Sequence, residues 1–284
     1  MPGRIEEVAR AKINLFLHAG ARRADGYHDL QSLAVFADAG DGLSFDDASA
    51  LSLSIDGPFA EALAHEPDNL VLRAADALAA EANRAALAQI RLTKNLPVAS
   101  GLGGGSADAA AALRGLSELW NARLPNERLY GIAAALGSDV PVCIASISAW
   151  MEGRGERALP LPVPSLHMVL VNPGVAVATK KVFARLEGRS GTALAAPNGF
   201  RDLPALLEFL GTTRNDLEAP AIAMAPAISE ALISLAASGA LLARMSGSGA
   251  TCFGLFDSAS TAKMAATSIA NTHDAWWVTA CRTQ

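Results

Sequence analysis

Cysteine is scarce: Cys143, Cys252 and Cys281 are the only three in 284 residues. Their odd number and wide spacing exclude a disulfide framework and leave no cysteine zinc motif, so they are expected to be small core residues. The five histidines are scattered, and no histidine metal centre is legible. Apolar runs are short, none approaching the roughly 18 residues that span a bilayer. The opening Met1-Pro2-Gly3-Arg4-Ile5-Glu6-Glu7 has no apolar signal core, which makes the cytoplasm the expected location. Cations are outnumbered: 23 Lys and Arg against 28 Asp and Glu give a net charge of −5. That excludes broad electrostatic attachment to nucleic acid or an acidic membrane. A phosphorylated ligand would have to be held by a few local cations and by backbone amides. Charged residues make up only 18% of the chain and hydrophobic ones 51%, a composition that offsets ordering entropy by burial and excludes disorder.

What is present is an alternation of strand-like and helix-like text without repeats. Ile13, Leu15 and Leu17 alternate with Asn14, Phe16 and His18, and Leu51, Leu53 and Ile55 with Ser52 and Ser54; both read as strands. A helix is expected from about Asp68 through Leu78, and a strand around Ile90 and Leu92. A helix with Ala109, Ala112, Leu113, Leu116 and Trp120 on one face follows, then another over 127–136 ending at Gly137 as a glycine cap. Pro160-Leu161-Pro162-Val163-Pro164 reads as an extended linker. Beyond it, 167–171 reads as a strand and 180–186, 203–210 and 228–237 as helices. A strand–turn–strand over 241–256, a helix capped by Ser258 and a last strand over 276–281 complete the chain. The organisation predicted is two α+β domains, residues 1–160 and 161–284.

Three constellations can carry chemistry. The first is Pro97-Val98-Ala99-Ser100-Gly101-Leu102-Gly103-Gly104-Gly105-Ser106-Ala107, between a strand and a helix. Its glycines remove the Cβ atoms that keep backbone N–H groups from a ligand, and the first-turn amides add the positive end of the helix dipole. This is the recipe for a polyphosphate cradle. It is neither a Walker A loop, for want of Gly-Lys-Ser/Thr, nor the dinucleotide fingerprint, because Ser106 stands at the last glycine position. By composition alone a flexible loop opening a helix is the lesser alternative. The second is Lys12 and Asn14, on the same side of a strand, followed by Asp25-Gly26-Tyr27-His28-Asp29-Leu30. Lys12 and Asn14 suggest a pocket wall, and Tyr27 beside His28 offers a flat surface and a polar edge. The third is Met245-Ser246-Gly247-Ser248-Gly249-Ala250, either a second phosphate-facing loop or a tight hairpin. One further acid stands out, Asp139, between a helix end and the apolar text Val140-Pro141, which reads as a strand.

Together these segments resemble the GHMP kinase superfamily. Pro97 through Ala107 matches its second motif, and Met245 through Ala250 its third. Lys12-Ile13-Asn14, Gly26-Tyr27-His28, the triple glycine at 103–105, Ser138-Asp139-Val140-Pro141 and Pro173-Gly174-Val175 with Thr179 and Phe183 are similar to the branch acting on a cytidine-diphosphate-linked methylerythritol. The resemblance implies a two-domain GHMP kinase fold: an N-terminal α+β ATP-binding domain, a C-terminal ferredoxin-like α+β domain, and the active site in the cleft between them. It implies transfer of the ATP γ-phosphoryl group to the 2-hydroxyl of 4-diphosphocytidyl-2-C-methyl-D-erythritol, in the non-mevalonate isoprenoid route, with Mg²⁺. It assigns Lys12 and Asp139 as catalytic and residues 97–107 with Asn69 and Lys94 to ATP. Asn14, Tyr27, His28, Thr179 and Phe183 fall to the acceptor, and Ser246, Gly247, Ser248 and Gly249 to the third loop. Ser106 is the candidate metal ligand. The expected partners are these small molecules, with no nucleic acid or membrane, and the working form a monomer or homodimer. The alternatives are another small-molecule kinase of the superfamily (for homoserine, mevalonate or a sugar), which would not need a cytosine-stacking Tyr27, and a non-catalytic nucleotide-binding protein, which would not need Lys12 and Asp139.

Overall fold

The computed structural model describes residues 4–24, 26–64, 68–186 and 194–283. The features read at Met1-Pro2-Gly3 and at Asp25 lie outside the described residues. Two compact units interleave along the chain. The first comprises Met1–Ala11, Gly40–Val98 and Gly103–Ser146; the second comprises Lys12–Ala39, Ala99–Leu102 and Ile147–Gln284. The long strands β1 (Ile5–Arg22) and β2 (His28–Asp46) pair with each other, and each contributes to both units.

In the first unit β3 (Ser52–Asp56) runs parallel to β4 (Gln89–Thr93), and β4 runs antiparallel to residues 42–46 of β2. Ile90 and Leu92 are buried while Gln89 and Arg91 face solvent, the period of two that the sequence shows. Helix α1 (Leu70–Glu81) starts at Asn69, whose Oδ1 accepts from Val71 N at 2.9 Å, one residue later than the start read at Asp68. It buries Val71, Ala74, Ala75 and Leu78 and packs on α2 (Gly104–Leu119). Ala109 through Leu113 of α2 are all buried, not one face only. Small side chains let neighbouring helices close in on every side. At Gly115 a Cβ would lie 2.3 Å from the Phe45 ring, so the absence of a side chain admits that ring to the core. Burying such a ring contributes about 1.5–3 kcal/mol.

Helix α3 (Asn126–Leu136) does end at Gly137, but with φ at 171°, an extended cap that any residue adopts. The apolar text after Asp139 is a short helix, α4 (Val140–Ala145), not the strand expected. A brief continuous apolar run carries no period that separates helix from strand. Pro141 sits in the first helical turn, where a missing N–H costs nothing.

In the second unit residues 30–34 of β2 pair antiparallel with β5 (Ala149–Gly153), which pairs with β6 (Arg157–Pro160). Pro160, read as part of the linker, is the last residue of β6 and pairs with Ala149, because an edge strand tolerates a missing N–H; residues 161–166 form no element. β7 (His167–Asn172), β8 (Leu242–Met245), β9 (Cys252–Phe256) and β10 (Trp277–Arg282) make an antiparallel sheet in the order β10-β7-β9-β8. Of the helices between β7 and β8, α5 (Thr179–Phe183), α6 (Leu203–Gly211), α7 (Glu218–Met224) and α8 (Ala227–Ala237), the last packs on this sheet. Helix α9 (Ala259–Thr272) bridges β9 and β10. Counting α8 and α9, the sheet follows the βαββαβ plan with spatial order 4-1-3-2, the ferredoxin-like arrangement. Ser258 caps α9 through a reciprocal box with Thr261. α7 has no counterpart in the sequence reading. Cys143 and Cys252 are buried and Cys281 is partly so, fitting their expected role as core residues. Among the described residues no single helix is long and apolar enough to cross a membrane.

Candidate active site

Strand β1 is buried on both faces from Ala11 to Ala19, so Lys12 (4% exposed) and Asn14 (3%) sit inside the protein rather than on a solvated face. Lys12 Nζ donates to Asn14 Oδ1 at 3.3 Å, as their shared side of the strand requires. Asn14 Nδ2 donates to Ser32 Oγ at 2.7 Å, and Ser32 Oγ donates to Phe16 O at 2.6 Å. The amide plane of Asn14 is thereby fixed from two sides. Ser32 lies on β2, in a stretch without any motif, and nothing in the sequence singles it out.

The Lys12 backbone N donates to Leu102 O at 2.9 Å, which ties β1 to the glycine-rich loop. Within that loop Gly101 has φ at +79°, and a Cβ on it would lie 2.3 Å from Ser246 O. The missing side chain makes room first for the protein's own third loop. Gly103 is the N-cap of α2 in the left-handed region, at φ 63°. The amides of Gly104, Gly105 and Ser106 precede the first intrahelical bond, from Ala107 N to Gly103 O at 2.8 Å. They form the first turn that the sequence points to as an anion cradle. The Ser106 side chain is partly exposed there.

The third loop is the turn of the β8–β9 hairpin. Ser246 Oγ accepts from Asn14 N at 3.1 Å and donates to Gly101 O at 3.0 Å. Thr251 N donates to Ser100 O at 2.9 Å, and the Ser248 and Thr179 hydroxyls are 2.8 Å apart. The hairpin that its sequence allows is present. It is also a staple between the glycine-rich loop and the strand that carries Asn14. Arg244, just before it, is 8% exposed, with its guanidinium donating to Leu15 O at 2.8 Å and Thr213 O at 2.9 Å. Burial lowers its pKa, yet four hydrogen bonds to carbonyl and hydroxyl oxygens keep it in place as a structural cation.

His28 and Phe183 come together in the second unit, with ring centroids 5.7 Å apart at 31°. His28 Nδ1 lies 2.9 Å from Gly20 O, so Nδ1 is the donor and Nε2 the acceptor in the neutral ring. Tyr27 is 56% exposed, and the Arg154 guanidinium lies over its ring at 5.1 Å. Arg154 was not legible as a neighbour of Tyr27, since 127 positions (154 − 27) separate them.

In the first unit Asp139 is the residue before α4, half-buried, and its carboxylate is not spent on capping that helix. Asn69, expected near ATP, uses Oδ1 to cap α1. Lys94, expected there too, is 2% exposed, and Nζ is held by Asp41 Oδ2 at 2.5 Å and Asp108 Oδ2 at 2.6 Å. Burial alone would lower the Lys94 pKa; Asp108 and Asp41 outweigh it and raise it. Burial pushes the Asp108 carboxyl up to about 7, against the pull of Lys94. Among the described residues Asp108 Oδ1 is buried with no hydrogen-bond partner. Asp41 Oδ1 also accepts from Asn95 N at 2.6 Å and Leu96 N at 2.8 Å, so the trio fixes the chain entering the glycine-rich loop.

A buried strand bearing a lysine and an asparagine, a glycine-rich loop opening a helix, and a second small-residue loop stapled to it describe a nucleotide-dependent small-molecule kinase. The model of the GHMP kinases N terminal domain matches residues 69–146, and that of the GHMP kinases C terminal domain matches residues 193–274. The chain belongs to the GHMP kinase family. It is 52% identical over 282 residues to the 4-diphosphocytidyl-2-C-methyl-D-erythritol kinase of Paracoccus denitrificans, covering 99% of this chain and 97% of the relative. It is 50% identical over 285 residues to the enzyme of the same name from Parvibaculum lavamentivorans, covering 98% of each. Within the family, therefore, it falls among the 4-diphosphocytidyl-2-C-methyl-D-erythritol kinases. A crystal structure of 4-(cytidine 5'-diphospho)-2C-methyl-D-erythritol kinase superposes with a TM-score of 0.80 at 32% identity, over 99% of this chain and 100% of that one. Homoserine kinase from Cytophaga hutchinsonii shares the fold, with a TM-score of 0.71 at 19% identity over 100% of this chain and 95% of that one.

Proposed function

We propose that the chain transfers the γ-phosphoryl group of ATP to the 2-hydroxyl of 4-diphosphocytidyl-2-C-methyl-D-erythritol, a step toward isoprenoid precursors by the non-mevalonate route. The observation that carries this reading is 50% identity, over 98% of the chain, to a relative named for that acceptor. ATP is the co-substrate of the family. The homoserine and mevalonate kinases share only the fold at 19% identity and below, which leaves the alternative acceptors without comparable support.

The acceptor is a tertiary alcohol, crowded and weakly acidic. Asp139 is assigned to take its proton as the new P–O bond forms. Lys12 is assigned to the same oxygen, where an ammonium lowers the cost of developing negative charge. Asn14 and Thr179 are assigned to the methylerythritol part. Tyr27 and Phe183 are assigned to stack on cytosine and His28 to read its edge; the contact of the His28 and Phe183 rings supports grouping the two. Residues 97–107 are assigned to the phosphates of ATP. Asn69 and Lys94 are assigned to the adenine end, where the burial of Nζ limits Lys94 to its backbone and its field. Ser246, Gly247, Ser248 and Gly249 brace both sides.

Mg²⁺ binds oxygen ligands and keeps several from water and substrate phosphates. Among the described residues no group of three or more His, Cys, Asp or Glu side chains could hold a metal by itself. The donor set therefore suits an ion carried by the nucleotide, with the Ser106 hydroxyl as its protein ligand. When bound, the ion neutralises charge on the phosphates. The reading puts the reaction in the cytoplasm, without nucleic acid or membrane, by a monomer or homodimer. The test is ADP release with Mg²⁺, ATP and an acceptor panel. Transfer to the cytidyl acceptor, against none to mevalonate, homoserine or free sugars, is expected. Preference for any of the latter would overturn the reading.

A further inference from the structure

Asn215 lies between α6 and α7 and is 6% exposed. Its side-chain amide spends its bonds on three backbone groups. Nδ2 donates to Met245 O at 2.8 Å and to Gly247 O at 2.8 Å, and Oδ1 accepts from Leu217 N at 2.9 Å. The two carbonyls it grips flank Ser246, the residue whose hydroxyl meets both Asn14 N and Gly101 O. Asn215 is itself held on both sides. Leu17 N donates to Arg214 O at 3.0 Å, Asp216 N donates to Leu17 O at 2.8 Å, and Asp216 Oδ2 accepts from Ala19 N at 2.9 Å. The segment is thus anchored to β1, the strand that carries Lys12 and Asn14.

We propose that Asn215 is a positioning residue for phosphoryl transfer, which sets the third loop in register with β1 and the glycine-rich loop by clamping the carbonyls on either side of Ser246. The role rests on the functional reading above. It demands asparagine chemistry: two donors and one acceptor in a single rigid plane. Aspartate has the shape but no donors, and would set a charge against two carbonyl oxygens. Gly247 cannot drift without cost, because a Cβ on it would already lie 2.9 Å from Gly101 O and 3.5 Å from Asn14 Oδ1; the loop and its neighbours are in close contact there. Small displacements of a loop touching both substrates' binding residues are where alignment is lost, and a 1 Å error is worth roughly 100-fold in rate.

The experiment compares Asn215→Ala and Asn215→Asp with Thr213→Val. Thr213 is equally buried at 7%, and its hydroxyl bonds Leu210 O and Arg244 but not the third loop. Kinetics are measured well below the lowest melting temperature. Both Asn215 variants are expected to lose about 10- to 100-fold in kcat, with KM for either substrate much less affected. Thr213→Val should melt lower yet keep its kcat. If Asn215→Ala does not fold, Asn215→Ser makes the same comparison. Amide hydrogen exchange of residues 246–251 supplies a readout independent of the acceptor. It should quicken in the Asn215 variants and not in Thr213→Val. An Asn215 variant with unchanged kcat, or unchanged exchange in this loop, overturns the proposal. Wild-type protein that transfers nothing to the cytidyl acceptor overturns only the functional reading, and the exchange result still decides the role of Asn215.

Discussion

Replacing Gly101 by alanine isolates the closest approach in the site. The added Cβ would lie 2.3 Å from Ser246 O, 2.9 Å from Gly249 N and 3.0 Å from Gly249 O, all backbone atoms with no rotamer to yield. The residue also has φ at +79°, where an L side chain costs about 1–2 kcal/mol. Overpacking against fixed backbone adds about 1–3 kcal/mol. The total, about 2–5 kcal/mol, corresponds to a fall in Tm of about 4–20 °C at roughly 2–4 °C per kcal/mol. Relief requires the third loop to withdraw by about 1 Å, which should lower kcat by roughly 100-fold in the protein that remains folded. Gly105→Ala is the control for stability alone. A Cβ there meets only Leu70 Cδ1 at 3.6 Å, an ordinary contact, and the position is helical. Alanine should stabilise it by about 0.5–1 kcal/mol. The assay is thermal melting together with steady-state kinetics. A Gly101→Ala protein that melts and turns over like wild type would refute the claim that loop contact, rather than ligand approach, fixes that glycine.

Lys94→Met should destabilise by about 3–5 kcal/mol by leaving Asp41 and Asp108 buried without their cation, measured by denaturant unfolding. Asp108 has a folded pKa of about 7, raised above its ordinary value of 3.8. The native state therefore holds a proton that the unfolded chain gives up, and this contribution is full below about pH 4 and lost as pH rises through about 7. Asp108→Asn, which mimics the protonated acid, should gain Tm relative to wild type between pH 5 and pH 8; a constant difference would contradict a protonated Asp108. Tyr27→Ala should raise KM for the cytidyl acceptor while leaving KM for ATP nearly unchanged, at about 0.5–1.5 kcal/mol for one lost stack, or roughly 2- to 10-fold.

Much of the fold was legible because strong periodicity and punctuation agreed. Ile90 and Leu92 alternate cleanly, Ser258 caps α9, and Pro162 and Pro164 mark a stretch with no element after β6. The failure at α4 arose where six apolar residues carry no period and a proline stands in the first turn. The two small-residue loops were legible for a similar reason: glycines and small residues cluster in sequence because backbones must approach one another. Asp41, Asp108 and Asn215 were not. Each takes its meaning from a partner 53, 14 or 30 positions away, and no local motif marks it. The sequence also pointed to a ligand as the reason for Gly101, whereas the structure gives a nearer one, the backbone of Ser246.

The central claim is that Asp139 takes the proton of the acceptor hydroxyl during transfer from ATP. Rapid-quench single-turnover ADP formation by Asp139→Asn, with binding of a non-hydrolysable ATP analogue measured in parallel, tests it most directly. The account predicts a rate loss of at least about 100-fold with analogue affinity preserved. Transfer at close to the wild-type rate would contradict it.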